Sequence, residues 1–376
     1  MYLANFVNGT AFRPDDFGTS GTPVVRIKQL LDASAECDLA PIPDQPVWID
    51  DGDLVFSWSA TLAVRFWRRG KALLNQHLFR VDVSPDVDQR WFSYVLEEGT
   101  RRLGPLMHGS AMTHITHDML KSLTVALPPL DEQQRIADYL DRETTRIDAL
   151  IDANRRSVEL LEEHWRAVLQ AKLDTSGPRV PLKRLARINP ESLPDTTEPD
   201  YTFRYVDIST TGRGVLKEEP ASMTFESAPS RAKRILRLGD TILSTVRTYL
   251  RASWTVRESA RDLVASTGFV CLRPRENVDP HFLGWLVAAN LVVDEVVARS
   301  VGVSYPAINS NEVGAIKVPC PPLPEQRKIA KSLDAVRPRI DALSTARTKM
   351  SNLLNERRQA LITAAVTGQI DLPEAA

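Results

Sequence analysis

The chain contains the same proline-led helix start twice. Residues 128–150 read "PPLDEQQRIADYLDRETTRIDAL" and residues 321–343 read "PPLPEQRKIAKSLDAVRPRIDAL", which agree at 14 of 23 positions. A fainter match extends backwards while the offset drifts from 193 to 187, as small insertions in loops would cause. A period this long indicates a duplicated domain pair rather than a solenoid, each copy being a globular block followed by a long helix.

The first long helix carries a seam in which intervals of four and three residues alternate. The seam positions are Leu140, Thr144, Ile147, Ile151, Asn154, Val158, Leu161, Trp165 and Val168. This is heptad spacing with two polar breaks, and because such a face is not stable in water, each long helix is predicted to pack on the other. The alternative is an ordinary surface helix, but residues 132–171 would span about 60 Å. Pro338 is predicted to kink or restart the second helix.

The globular blocks are predicted to mix α and β structure. Residues 53–67, 73–83, 240–250 and 263–274 are rich in β-branched and aromatic side chains and bounded by turn signals, so they predict strands. Residues 89–98 and 281–300 predict helices. The expected boundaries are 1–127 for the first block, 128–173 for the first helix, 180–320 for the second block, 321–368 for the second helix and 369–376 for a tail.

Composition limits the function classes. The 376 residues carry a formal net charge of −1, but basic side chains cluster at 65–71 and 231–251, so nucleic-acid binding stays open. No apolar run approaches the roughly 18 residues of a membrane span, and the N-terminal residues do not resemble a secretory signal. Three widely spaced cysteines fit reduced thiols, so a cytoplasmic location is expected.

Several segments, each present in two copies and in the same order, resemble a known family. They are "GDLVFSWSATLAVRFWRRGKALLNQHLFRV", "MTHITHDMLKSLTVALPPLDEQQRIADYL", "GDTILSTVRTYLRASW", "SVGVSYPAINSNEVGAIKVPCPPLPEQRKIAKSL" and the ending "RRQALITAAVTGQIDL". Together they cover nearly the whole chain. On these motifs the chain resembles the specificity subunit of type I restriction–modification systems.

The resemblance implies an α+β architecture with a pseudo-two-fold internal repeat, in which two mixed α/β target-recognition domains are separated by two long antiparallel coiled-coil helices. Each domain would read one half of a bipartite, asymmetric double-stranded DNA site. The helices would act as spacer and dock two copies of a DNA adenine methyltransferase subunit, and a motor–nuclease restriction subunit is a further partner of the family. No catalysis, cofactor, metal or membrane is implied. The alternative is a coiled-coil scaffold or decoy that binds methyltransferase subunits without reading DNA.

Candidate contact residues follow from charge and from the repeat. DNA binding needs cations for phosphates and side chains that reach base edges; the alternative for each cation is a solvated surface. The DNA candidates are Arg65, Arg68, Arg69, Lys71, Arg101, Arg102, Arg231, Lys233, Arg234, Arg247, Tyr249 and Arg251. The docking and spacer candidates are Glu132, Gln133, Ile136, Leu140, Ile147, Ile151, Leu161, Glu325, Gln326, Ile329, Leu333, Ile340, Leu343 and Leu354.

Two smaller patterns allow more than one interpretation. Asn75-Gln76-His77 could read adenine, but the resemblance favours a structural turn. His108, His114 and His117 could share a metal, yet no fourth ligand is near in sequence, so no metal site is predicted.

The two copies differ at their starts. The second block opens with "RVPLKRLARINP", whereas Leu3 to Phe6 of the first block match Leu185 to Ile188. The first copy thus lacks the leading "VPLKR" strand, and Gln369 to Leu372 is expected to return and complete it. A start codon assigned slightly late is the plainer alternative.

Overall fold

A computed structural model describes residues 3–103, 115–174, 178–257 and 262–370. The chain forms two compact units, unit 1 (Met1–Asn154 with Lys349–Ala376) and unit 2 (Arg155–Thr348). Each unit therefore combines one globular block with part of each long helix. The predicted mixture of helix and sheet is confirmed in both.

Unit 1 consists of two four-stranded sheets and their helices. Its elements are β1 (Ala4–Asn8), β2 (Thr22–Val25), α1 (Ile27–Leu31), β3 (Asp38–Ala40), β4 (Trp48–Ile49), β5 (Leu54–Ser57), β6 (Ala63–Phe66), β7 (Ala72–Leu74), β8 (Leu78–Val83), α2 (Gln89–Leu103), α3 (His117–Ser122) and the first part of α4 (Leu130–Leu173). One sheet has the antiparallel order β1-β8-β5-β6. The other has the order β3-β2-β7-β4, with β2 and β7 parallel.

Unit 2 repeats this plan. Its elements are β9 (Arg179–Pro181), β10 (Ala186–Ile188), β11 (Thr202–Val206), β12 (Ala221–Thr224), β13 (Ala232–Ile235), β14 (Thr241–Ser244), β15 (Ser253–Thr255), β16 (Leu263–Ser266), β17 (Phe269–Pro274), α5 (Pro280–Ala288), α6 (Asn290–Arg299), α7 (Ser310–Ala315), β18 (Lys317–Pro319) and the first part of α8 (Leu323–Val366). The orders β10-β17-β14-β15 and β12-β11-β16-β13 match those of unit 1, and β11 runs parallel to β16 as β2 does to β7. The internal repeat is therefore a repeat of topology.

The starts of the two blocks align as expected. Ala4 of β1 pairs with Val83 of β8, and the matching Ala186 of β10 pairs with Pro274 of β17. Unit 2 also has the leading strand β9, which pairs with β18. Ile370, after the end of α8, packs half-buried against the core of unit 1, while residues 371–376 lie outside the described residues.

The two long helices run antiparallel. In unit 1 Asp148 of α4 contacts Arg358 of α8 at 3.2 Å, and in unit 2 Glu162 contacts Arg337 at 3.2 Å. As residue numbers increase along α4, the numbers of the contacting residues on α8 therefore decrease. Every predicted seam position of α4 is buried or half-buried, which confirms the heptad reading. Helix α8 runs without interruption from Leu323 to Val366, so the predicted restart at Pro338 is wrong.

Several predicted elements are divided. The runs 53–67, 73–83 and 263–274 each form two strands: β5 and β6, β7 and β8, and β16 and β17. The helix expected over 281–300 is broken at Ala289, with 53° between α5 and α6. Arg213 explains the break, because its guanidinium donates to the carbonyl of Ala288 at 2.8 Å, which a continuous helix would use itself. The strand expected over 240–250 ends at Ser244, and Thr248–Leu250 forms a 3-10 turn.

Within the described ranges, no single helix is long and apolar enough to cross a membrane. The bent pair α5 and α6 passes that test of length and composition only when its two helices are joined. Most side chains of α5 are buried in the core of unit 2, with Phe282 and Leu283 at its centre.

Candidate nucleic-acid interface

The segment after β14 in unit 2 turns its polar and aromatic side chains outwards. Arg247 and Arg251 hold left-handed backbone conformations, with φ of 49° and 54°, on either side of the 3-10 turn. Such conformations are unfavourable for residues other than glycine and persist where surrounding contacts fix them. Thr248 supplies one contact, since its hydroxyl lies 2.8 Å from that of Ser300. Tyr249, the next residue, is exposed.

A tight hairpin lies beside this turn. Val301 and Ala307 exchange two backbone hydrogen bonds of 2.9 and 3.0 Å, and Ala307 also bridges to Val246 next to the turn. The hairpin exposes Val303 completely and Tyr305 by 69%. The Arg247 guanidinium lies over the Tyr305 ring, 5.2 Å from its centroid. We call these exposed residues the Arg247 patch; its members are Arg247, Tyr249, Leu250, Val303 and Tyr305.

The Arg247 patch has the chemistry of a binding surface. Large apolar and aromatic side chains grouped in water indicate an interaction site. Tyrosine rings can stack on bases, and arginine can bind phosphate oxygens or guanine edges. Arg247 has the aromatic contact described above and no carboxylate partner among the described residues, so its charge is available to a ligand.

Other cations predicted in the second block have intramolecular partners. Arg231 lies 3.9 Å from Asp207, Lys233 lies 2.7 Å from Asp195, and Arg251 lies 2.9 Å from Asp294. Arg234 is half-buried, and its Nε atom is enclosed without a hydrogen-bond acceptor in the described structure. The structure thus brings Arg247 and Tyr249 together with the hairpin. Arg231, Lys233 and Arg251 pair with carboxylates, and Arg234 is half-buried.

The first block presents its cations along and after the edge strand β6. Arg65, Arg68, Arg69 and Lys71 are all exposed. Arg69 donates to the Ala35 carbonyl at 2.9 Å, and the Lys71 ammonium lies 4.5 Å from the centroid of the Trp48 ring. None of the contacts of these four cations uses a carboxylate within the described part of unit 1, so their charges remain available to phosphates.

Arg101 and Arg102 form ion pairs with the buried carboxylate of Glu98 instead. Both donate to the Glu98 carboxylate, at 2.8 and 2.9 Å, and Thr363 of α8 donates to it at 2.7 Å. Burial raises the pKa of Glu98, but hydrogen bonds from Arg101, Thr363 and Arg102 outweigh it and hold the pKa at about 2. These two arginines therefore help to fix α2 against α8.

The turn after β14 has a counterpart in unit 1. Ala60 has φ of 56° at the position that matches Arg247. Ile115 donates its N–H to the Trp58 carbonyl at 2.8 Å, as Ile308 donates to that of Thr245 at 2.9 Å. The counterpart of the hairpin falls in residues 104–114, outside the described residues. His108 and His114 of the histidine pattern lie there too, and the side chain of His117 is likewise not described.

The Asn75-Gln76-His77 triplet is a structural turn, as the resemblance favoured. Asn75 is buried, and its amide donates to the Gln76 side-chain oxygen at 2.8 Å. That oxygen also accepts the N–H of Phe12 at 3.2 Å.

Each long helix begins with a buried glutamine that ties it to its own block. The side-chain oxygen of Gln133 accepts the N–H of Asp88 at 2.8 Å, and that of Gln326 accepts the N–H of Asp279 at 3.0 Å. Each amide group donates to the carbonyl of the first proline of its motif, at 2.9 and 2.8 Å. Both glutamines are 1% exposed, so the repeated Gln is an internal joint.

A repeated aspartate, missed as a candidate in the sequence, completes each joint. Asp141 accepts the hydroxyl of Tyr94 at 2.7 Å, and the matching Asp334 accepts the indole N–H of Trp285 at 2.8 Å. Burial raises the pKa of Asp334. Hydrogen bonds from Arg257, His281 and Trp285 outweigh burial and hold this pKa below the ordinary value of a carboxyl group. The signal was present in the repeat, since "LD" occurs in both motifs. Basic partners of the two aspartates are Arg90 at 3.0 Å in unit 1, and His281 at 2.6 Å and Arg257 at 2.7 Å in unit 2.

The other docking and spacer candidates divide by burial. Those inside the chain's own packing are Ile136, Leu140, Ile147, Ile151, Ile329, Leu333 and Ile340, with Leu161 and Leu354 half-buried. Those facing solvent are Glu132, Glu325 and Leu343. The two glutamates are therefore accessible from solvent.

Known proteins resemble this chain in sequence and in fold. The sequence model of the type I restriction modification DNA specificity domain matches residues 3–160 and again 192–349. The EcoBI specificity subunit of Escherichia coli is 26% identical over 172 residues, 45% of this chain and 36% of that protein, so the alignment spans about a third of that relative. The MjaVIII specificity subunit of Methanocaldococcus jannaschii is 20% identical over 93% of this chain and 86% of its own.

A solved structure shows the same fold. It is described as "Structural basis underlying complex assembly and conformational transition of the type I R-M system". It superposes with a TM-score of 0.71 at 18% identity and covers 98% of both chains. Because the family sequence model covers most of this chain in two copies, the chain belongs to the type I restriction–modification DNA specificity family.

Proposed function

We propose that this chain is the sequence-specific DNA-recognition subunit of a type I restriction–modification complex in the cytoplasm. It binds a bipartite double-stranded site, one half through each unit, and performs no catalysis itself. The duplicated specificity domain carries this proposal, because two diverged copies on one chain suit two different half-sites. Linking two domains that each bind DNA weakly also raises affinity and specificity, because binding of the first domain increases the effective concentration of the second at its half-site.

The Arg247 patch is the proposed reading surface of unit 2. It combines an exposed guanidinium with two exposed tyrosines on a segment whose backbone is fixed by the sheet. In unit 1 the exposed cations of residues 65–71 would contact phosphates. The other strand cations would support the fold, since carboxylates or burial already engage them.

Base-resolution mapping of adenine methylation tests the proposal. The chain, expressed with a type I methyltransferase partner, should produce a bipartite motif that disappears without it. Arg247→Gln with Tyr305→Ala should relax one half of that motif and leave the other unchanged, since a lost base contact weakens discrimination by about 1–3 kcal/mol. Arg275→Gln is the matched control, because Arg275 is an exposed cation just after β17, at the opposite end of the sheet. A methyltransferase held by the chain without any motif would support the decoy alternative.

Partner docking is proposed to use the same surface twice. Glu132 and Glu325 occupy matching exposed positions in the first turns of α4 and α8. Two identical methyltransferase subunits would therefore meet identical local geometry. Native mass spectrometry should show two copies bound to the natural chain, one for Glu132→Lys or Glu325→Lys, and none for the double variant. Two copies retained by the double variant would rule out these glutamates.

The long helices are proposed to set the spacer between the half-sites. Inserting seven residues after Leu150 and seven after Leu343 preserves the heptad phase of both helices. The unmethylated gap in the mapped motif should then lengthen. An unchanged gap would contradict the spacer role.

A further inference from the structure

Unit 2 contains an arginine-lined cavity that borders the Arg247 patch, since Leu250 belongs to both. Its volume is about 520 Å³. The four arginines in its lining are Arg166, Arg213, Arg251 and Arg337. The same lining includes the apolar side chains of Trp165, Trp285 and Ala288, and one acid, Glu162.

Two of these cations lack a carboxylate partner among the described residues. Arg337 pairs with Glu162 and Asp341, and Arg251 pairs with Asp294. Arg213, in contrast, donates only to neutral oxygens, at 2.8 Å to the Ala288 carbonyl and 2.5 Å to the side chain of Asn290. Arg166, the second such cation, is exposed at the edge of the cavity.

Four arginines against one acid give the lining of the cavity an excess of positive charge. Burial lowers the pKa of Arg213, and the nearby charges of Arg251 and Arg166 lower it further, while the carboxylates of Asp294 and Glu162 raise it by less. A guanidinium remains protonated at neutral pH all the same. Arg251 and Arg166 therefore repel the charge of Arg213, and Asp294 and Glu162 offset part of that repulsion.

The matching place in unit 1 shows what is missing. Position 97 of α2 matches position 288 of α5, and there unit 1 has Glu97 where unit 2 has Ala288. Glu97 accepts from Arg358 at 2.5 Å and from Gln359 at 3.1 Å. Unit 1 thus supplies its own carboxylate between the block and the helices, whereas unit 2 has alanine at that position and Trp165 at the position that matches Arg358.

We propose that the cavity in unit 2 binds a phosphate group between Arg213, Arg251 and Arg166. A phosphate monoester has a charge of about −1.5 to −2 at neutral pH and a DNA backbone phosphate about −1, so the two cations without acidic partners can neutralise either group. Guanidinium groups bind phosphate oxygens in forked pairs, so converging arginines suit this anion. The phosphate comes either from a small molecule or from the DNA backbone.

Thermal unfolding of the full chain in inorganic phosphate tests this, with chloride at matched ionic strength as reference and no DNA present. Ligand at about 100 times its Kd should raise the Tm by at least about 5 °C. Ala288→Glu should unfold at higher temperature without phosphate and show no phosphate-dependent rise, because the new carboxylate supplies the missing charge. Arg166→Gln, at an exposed position, should weaken the apparent phosphate affinity about tenfold.

Absence of a saturable shift in the natural chain would overturn the proposal, as would an equal shift in Ala288→Glu. The surface control Arg275→Gln should keep the full shift. Duplex DNA titrations identify the source. A backbone phosphate predicts that Ala288→Glu weakens binding to all sequences alike and reduces the salt slope by about one. A small-molecule phosphate predicts unchanged DNA affinity. Both readouts are independent of the methylation motif that tests the proposed function.

Discussion

Replacing Gln326 with alanine should loosen unit 2 at the start of α5. The side chain is 1% exposed and accepts the N–H of Asp279 while donating to the carbonyl of Pro321. Asp279 is also the N-cap of α5, since its carboxylate accepts the N–H of Phe282 at 2.9 Å. The variant therefore removes a support from a helix start as well as two hydrogen bonds.

The size of the effect follows from burial. A buried polar group left without a partner loses about 1–3 kcal/mol, and Gln326→Ala leaves one donor and one acceptor in that state. We expect a loss of about 3 kcal/mol in the free energy of unfolding of unit 2. For a unit of this size that lowers the Tm by roughly 6–12 °C.

Urea unfolding gives the free energy, and amide hydrogen exchange locates it. Exchange should accelerate at the first turn of α5 in Gln326→Ala and at the start of α2 in Gln133→Ala. Glu325→Ala is the matched control, because its side chain is exposed in the same turn of α8 and should change stability by less than about 0.5 kcal/mol. If Gln326→Ala were as mild as Glu325→Ala, the joint would not be energetically important.

Three further perturbations have expected outcomes. Glu98 has a folded pKa of about 2, below its ordinary value, so its stabilisation is complete above about pH 5 and is lost as the pH falls towards 2. Glu98→Gln should therefore remove up to about 3 kcal/mol at pH 7 and much less at pH 2, measured by urea unfolding at both pH values. Asp334→Asn should weaken the hydrogen bonds that Trp285 and Arg257 donate to α8, so amide hydrogen exchange should become faster in α5 but not in α2. Deleting residues 369–376 removes Ile370 from the core of unit 1 and should accelerate exchange there selectively; unchanged exchange would contradict the expected return of the tail.

Much of the fold is readable from local pattern. The apolar seam of α4 and the strand-forming runs are recognised by the periodic spacing of apolar residues. Each pattern depends only on residues that are close in sequence. The break at Ala289 is different, because it depends on Arg213, which lies 75 residues away. No window around α5 and α6 contains that donor, so the sequence favours one continuous helix.

The residues of the candidate site could not be predicted from the sequence for a similar reason. Sequence identifies cations, but it does not show which of them already has a carboxylate nearby. Lys233 and Arg247 look alike in the chain, yet Asp195 engages the first and only an aromatic ring engages the second. The sequence also does not show the hairpin that carries Tyr305, because its two backbone hydrogen bonds join Val301 to Ala307 without any alternation of apolar residues.

The two repeats are most alike where the chain must hold itself together. Gln133 and Gln326 are identical because both secure a block to its helix, and this explains the motif without any partner. Divergence occurs where a ligand would be met, as with Ala60 against Arg247. Identity within a duplicated chain can therefore mark an internal joint as readily as a shared docking surface. Only exposed identical positions, such as Glu132 and Glu325, remain as evidence for a partner that binds twice.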